Sequence, residues 1–189
     1  MSWISWRGDH WRAHPHSRQD VLTVKLERHH DGATAHHNGR MYTPMSFVRF
    51  DHVGITVADL DAVTAFFVAL GLEAGNRMVV EGEFLDTVIG IPNSRTEIVM
   101  RRTPDGATTL ELSSFARPDH LPGFPDAPAN ELGLRNVAFE VVDLRAAVDR
   151  AAADGYGLIG GIGEYEGVWR MAYVRGPEGI IVSLAERIG

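Results

Sequence analysis

The chain repeats itself. Setting residues 50–60 (FDHVGITVADL) on residues 134–144 (LRNVAFEVVDL), an offset of 84, superimposes the apolar positions and places an Asp that can cap a helix in each copy. Further along, Leu110-Glu111-Leu112 falls on Val182-Ser183-Leu184 at an offset of 72, and the turn Gly176-Pro177-Glu178-Gly179 echoes Pro104-Asp105-Gly106. A module of this size is unlikely to bury a sheet face alone, so the repeat predicts one domain made of two modules folded against each other.

The same order of elements is legible in both copies. Residues 47–57 alternate and are β-branched, as a half-buried strand requires. Asp59 can then cap a helix that stops at Gly71. Strands follow over 72–81, 95–102 and 107–115, with a short helix or turn at 83–89 and a turn at Thr103-Pro104-Asp105-Gly106. In the second copy a strand over 134–142 precedes a helix capped by Asp143 and stopped at Gly155, then strands over 158–163, 169–175 and 179–186. Module one is residues 46–116, a Pro-rich surface linker is 117–132, and module two is 133–189. The Gly160-Gly161-Ile162-Gly163 run reads as a flexible lead-in to a strand, since no helix start follows it to cradle a phosphate.

Residues 1–44 stand apart. They hold seven of nine histidines and three of four tryptophans, with a periodic apolar pattern only at 21–26. They read as a His-rich extension, either a metal-binding tract or, preferred here, a disordered tail or mis-start ahead of Met45. They carry +2, leaving −9 for the rest of a chain whose net charge is −7. An acidic domain without a basic stripe argues against nucleic acid as a partner. No cysteine is present, which rules out disulfides, a thiol nucleophile and iron–sulfur chemistry but leaves sites built from His and carboxylates. No apolar run is long enough for a membrane span and the N-terminus is polar, so a cytoplasmic protein is expected.

The motifs DHVGITV, PDGATTLELSSF, GLRNVAFEV and GPEGIIVSLAE, in this order on paired β-α-β-β-β modules, resemble the vicinal oxygen chelate superfamily. That superfamily includes glyoxalase I, methylmalonyl-CoA epimerase, extradiol dioxygenases, and the fosfomycin and bleomycin resistance proteins. The resemblance implies an α+β fold in which two curled mixed sheets form a cup-shaped pair of half-barrels. It also implies one divalent metal (zinc, nickel, manganese or iron) and a homodimer. The ligand positions of the first and last strands of each module fall on His52, Glu111, Asn136 and Ser183, of which only His52 and Glu111 are usual metal ligands.

Strand alternation is consistent with that placement: Val53, Ile55 and Val57 pack under the helix while His52, Gly54 and Thr56 face away. Glu111 shares its face with Thr109 and Ser113, and Asn136 with Ala138 and Glu140. The resemblance thus implies a site with His52 and Glu111 as metal ligands and Glu111 as the catalytic group. Asn136, Glu140, Ser183, Trp169 and Arg170 are the substrate-binding residues, with Arg170 pairing a carboxylate or phosphate. Arg101, Arg102, Arg135 and Arg175 read as surface. Two functions fit: a metal-assisted lyase, isomerase or oxygenase acting on a small oxygen-rich molecule, or a metal-free small-molecule binding protein of the bleomycin-resistance type.

Overall fold

A computed structural model describes residues 49–189 throughout. Before them it describes only β1 (Ile4–Arg7), β2 (His10–Ala13), β3 (Ala35–His37) and β4 (Arg40–Tyr42), which form the antiparallel pairs β1–β2 and β3–β4. Met1–Val48 and Arg49–Gly189 are separate compact units. The periodic stretch at 21–26 lies outside the described residues.

In the second unit each module opens with a short strand and a capped helix. β5 (Val53–Thr56) leads to α1 (Leu60–Ala69), and β9 (Val137–Glu140) leads to α3 (Leu144–Ala153). The Asp59 carboxylate accepts from the Ala62 N–H at 2.9 Å and that of Asp143 from the Ala146 N–H at 3.0 Å, satisfying backbone donors that the first helical turn leaves unpaired. Gly71 and Gly155, at φ 105° and 89°, end the two helices in a conformation that side chains resist.

Module one continues through β6 (Glu73–Glu81), α2 (Glu83–Ile89), β7 (Arg95–Arg102) and β8 (Thr109–Arg117). Module two continues through β10 (Gly157–Leu158), β11 (Gly163–Tyr165), β12 (Trp169–Arg175), a 3-10 turn (Pro177–Gly179) and β13 (Ile181–Arg187). The first sheet runs β5-β8-β7-β6. The second runs β10-β12-β13-β9, with β11 also on β12. In each, the first strand lies parallel to the last, Val53 opposite Leu110 and Val137 opposite Val182, while the other pairs are antiparallel. The fold is α+β, with two curled mixed sheets that do not close into a barrel.

One core serves both modules. Leu60, Val63, Phe66 and Phe67 of α1 join Leu110 and Leu112 of β8, Leu144 and Ala151 of α3, and Val182 and Leu184 of β13. Phe66 meets Tyr156 edge-on with ring centroids 4.9 Å apart, and Phe67 meets Phe139 at 6.5 Å. Fully burying side chains of this size contributes about 1.5–3 kcal/mol each.

Module two also reaches back to cap module one. The Glu178 carboxylate, at the 3-10 turn, accepts from the Ala58 N–H at 2.8 Å and the Asp59 N–H at 2.7 Å. Glu178 is held at φ 54° to do so. On one side of this turn a Cβ on Gly176 would come within 2.6 Å of the Phe66 ring. On the other side, a Cβ on Gly179 would collide with the Pro125 carbonyl of the linker.

Five expectations need correcting. The first strands are shorter than 47–57 and 134–142: β8 begins at Thr109 and β13 at Ile181, so the parallel ladders start at Val53 and Val137, and His52 and Asn136 precede them. The strand expected at 158–163 is two strands, because the chain bends at Gly160-Gly161 and β10 and β11 pair separately with β12. Arg175 is not a solvated surface residue: its Nη1 donates to the Pro125 carbonyl at 2.6 Å and its Nη2 to the Ala127 carbonyl at 3.0 Å, tying the linker down. Arg135 Nη2 donates to the same Ala127 carbonyl at 3.4 Å. Arg101 is half-buried, with its Nε unpartnered.

Candidate functional site

The parallel pairing of β5 with β8 is what brings the first site together. Gly54 lies opposite Glu111, and His52 stands two residues before it on the same side of the chain. His52 Nε2 is 3.7 Å from Glu111 Oε2, with the two side chains 36% and 27% exposed. Both are open to a ligand; Glu111 is held by the sheet, and His52 lies one residue before the strand β5 that the sheet fixes. Nothing lies within 4 Å of where a Gly54 Cβ would be, so the surface beside the pair is clear.

A third residue joins them. His52 Nδ1 lies 2.9 Å from Asp51 Oδ2, and Arg49 Nη2 donates to Asp51 Oδ1 at 2.9 Å. The hydrogen bond from His52, and after it the charge of Arg49, hold the Asp51 carboxyl below its ordinary range. Sequence reasoning passed over Asp51; the available signal was an acidic residue directly beside a histidine at a candidate ligand position.

The other expected residues are distributed elsewhere. Asn136 lines a cleft of about 300 Å³ at the seam between the first strands of the two modules, together with Gly54, Thr56, Phe124, Leu134 and Arg135. Gly54 is the link between this cleft and the His52–Glu111 pair. Ser183 is 3% exposed, inside the second sheet between Tyr173 and Ala138. Glu140 is exposed on β9, and Trp169 is half-buried at the start of β12.

Arg170 does not present a free guanidinium. Its Nε and Nη2 donate to Glu164 Oε1 at 3.0 and 2.8 Å, and its Nη1 to Glu186 Oε2 at 3.4 Å. The same Glu186 oxygen accepts from the Leu144 N–H at 3.1 Å, so Arg170 belongs to a network that anchors α3. The two carboxylates raise its already high pKa further.

The donor set can be tested against a divalent metal. Imidazole and carboxylate are the donor types that zinc, nickel, manganese and iron accept. His52 Nε2 faces a carboxylate oxygen at 3.7 Å, an arrangement that a cation between them makes favourable. These two residues therefore fit two positions of a metal's shell. Asp51 meets the other nitrogen of the ring, and among the described residues no group of three His, Asp, Glu or Cys is placed to hold one metal ion, whereas catalytic metal sites usually take three protein ligands.

A profile of the Glyoxalase/Bleomycin resistance protein/Dioxygenase superfamily matches residues 51–173. Among solved structures the chain is similar to a glyoxalase family protein from Bacillus cereus, at 38% identity over 78% of this chain and 99% of that one, with a TM-score of 0.75. It is also similar to a glyoxylase/bleomycin resistance protein/dioxygenase domain from Frankia sp. (19% identity, 75% and 99% covered, TM-score 0.53). A glyoxalase family protein from Enterococcus faecalis is alike to the same extent (21% identity, 74% and 98% covered, TM-score 0.50). These last two show the fold alone. No curated protein matches the chain.

Proposed function

Because the chain belongs to the glyoxalase/bleomycin resistance protein/dioxygenase superfamily, we propose that it binds a small oxygen-rich organic molecule beside His52 and Glu111 and acts on it as a metal-assisted lyase, isomerase or oxygenase. The observation that carries this reading is the approach of His52 Nε2 to Glu111 at 3.7 Å on an open sheet face. His52 and Glu111 would hold the ion, zinc, nickel, manganese or iron. When bound, such an ion draws electron density from a coordinated oxygen as a Lewis acid.

The chain's own groups supply the rest. Glu111, partly exposed on β8, can take up or return a proton at its carboxylate. Asn136 offers an amide donor and acceptor from the seam cleft, and Thr56 a hydroxyl next to it. The apolar Phe124 and Leu134 line the same cleft and would hold carbon rather than oxygen. Glu140, Ser183 and Trp169 remain candidate contacts for a larger ligand. Arg170 would have to leave Glu164 and Glu186 to pair with one. A homodimer belongs to this reading, supported by the family resemblance, and a cytoplasmic location, supported by the polar N-terminal sequence.

A second reading is a metal-free binding protein, favoured by the convergence of only two donors among the described residues and by the −9 charge of residues 45–189, which suits a cationic ligand. Elemental analysis separates the two. The full chain is purified without a His tag, beside His52→Ala and Glu111→Ala. The seven histidines before Met45 are common to all three proteins, so the difference in metal content is what reports on the site. The enzyme reading expects close to one more equivalent of divalent metal in the wild type than in either variant. Equal metal in all three, with equal thermal shifts on adding zinc, nickel, manganese or iron, would overturn it in favour of the binding protein.

A further inference from the structure

The geometry points to Asp51 as a positioning residue: its carboxylate keeps the proton of His52 on Nδ1, and so turns the Nε2 lone pair towards Glu111. The inference rests on the reading that His52 and Glu111 are the working pair, and it adds the residue that prepares one of them.

A neutral imidazole has one N–H to place. At Nδ1 the acceptor is Asp51 Oδ2 at 2.9 Å, the ordinary length of an N–H···O hydrogen bond, and it is a carboxylate. At Nε2 the facing carboxylate oxygen, Glu111 Oε2, stands at 3.7 Å, beyond hydrogen-bond reach. The proton therefore belongs on Nδ1. In water the Nε2–H tautomer ordinarily predominates, so Asp51 reverses the intrinsic preference of the ring. Arg49, 2.9 Å from the other Asp51 oxygen, favours the ionised carboxylate that can only accept.

The consequence lies at Nε2. A bare lone pair there can ligate a cation or accept a proton, and an N–H can do neither. The Asp51 contact also fixes the ring plane, since rotation of His52 about its Cβ–Cγ bond would break the 2.9 Å bond. Removing such a carboxylate partner from a metal-binding histidine commonly weakens metal affinity about 10–100-fold.

The test has two readouts on the full chain. Two-bond 1H–15N correlation of the imidazole rings, at a pH of about 8.5 and so above the ordinary histidine range, reports the tautomer of each neutral ring. His52→Ala identifies the His52 peaks among the nine histidines. The wild type is expected in the Nδ1–H pattern and Asp51→Ala in the Nε2–H pattern. Asp51→Asn, whose amide oxygen still accepts, should keep the wild-type pattern. An Nε2–H pattern in the wild type, or an unchanged one in Asp51→Ala, overturns the proposal. Zinc affinity is measured in parallel, as the difference between each protein and the same protein carrying His52→Ala. It should fall about 10–100-fold in Asp51→Ala and recover in Asp51→Asn. If wild type and His52→Ala bind zinc alike, the metal-assisted reading fails. The tautomer pattern then still decides the role of Asp51.

Discussion

Glu178 offers the sharpest test of how the two modules are joined. Its carboxylate takes two backbone N–H groups, of Ala58 and Asp59, that precede α1 in the other module. Hydrogen bonds to a charged group contribute more than neutral ones, but Glu178 is exposed and water can replace it, so about 1 kcal/mol for each donor is appropriate. Against this stands its φ of 54°, a left-handed conformation that costs a non-glycine residue about 1 kcal/mol. Glu178→Ala loses both bonds and keeps the strain, for a loss of about 2 kcal/mol. Glu178→Gly loses the same bonds and removes the strain, for a net loss of about 1 kcal/mol. For a unit of this size those losses correspond to falls in Tm of about 6 °C and about 3 °C. Differential scanning calorimetry of the wild type and both variants at one protein concentration resolves the difference. An Ala variant as stable as the wild type would show that the contact contributes nothing. A Gly variant no more stable than Ala would refute the strain argument.

Phe67, fully buried between Phe66 and Phe139, should cost about 3–5 kcal/mol when changed to Ala, read as a lower urea midpoint. Gly179→Ala forces a side chain onto φ 81° and into the Pro125 carbonyl, and should cost about 1–3 kcal/mol while Gly160→Ala, with open space around it, costs little. The Asp86 carboxylate accepts from the Ser94 hydroxyl at 2.6 Å and from the Ser94 and Asn93 N–H groups, and the Ser94 bonds lead in holding its pKa below the ordinary 3.8. A depressed pKa in the folded state gives stability that is present above pH 3.8 and lost as pH falls below it towards the folded-state value. Asp86→Asn should therefore flatten the acid end of the stability profile, and an unchanged slope would argue against the contact.

Much of the fold was written in local signals. Asp59 with Gly71 and Asp143 with Gly155 mark both helices, and the residues read as strand at 95–102 and 169–175 are β7 and β12 to the residue. What escaped were features set by partners distant in the chain. The starts of β5 and β9 depend on where β8 and β13 begin, which no pattern within residues 47–57 or 134–142 reveals. The site was legible to the same degree. Alternation put His52 on the face away from the helix and Glu111 beside Thr109 and Ser113, the family resemblance put the two in one site, and in the structure they lie 3.7 Å apart. Alternation could not say that Arg170 is taken up by Glu164 and Glu186, because those partners meet it only through β11 and β13. Nor could it say that Arg175 and Arg135 hold the linker, which has no regular structure to predict from.

The parallel pairing of first and last strands also fixes the order in which the protein can assemble. β6, β7 and β8 are neighbours in sequence and can associate as a meander by closing the connection that carries α2 and the turn between β7 and β8. β5 can dock only across a sequence separation of 57 positions, from Val53 to Leu110. His52 arrives with β5, and Glu111 waits on β8. The pair is thus completed by the longest closure in its module, and a meander formed without β5 would hold most of the sheet's hydrogen bonds while lacking the site. Recovery of metal or ligand binding during refolding should then lag behind the recovery of sheet signal, making function a later reporter of the native state than secondary structure.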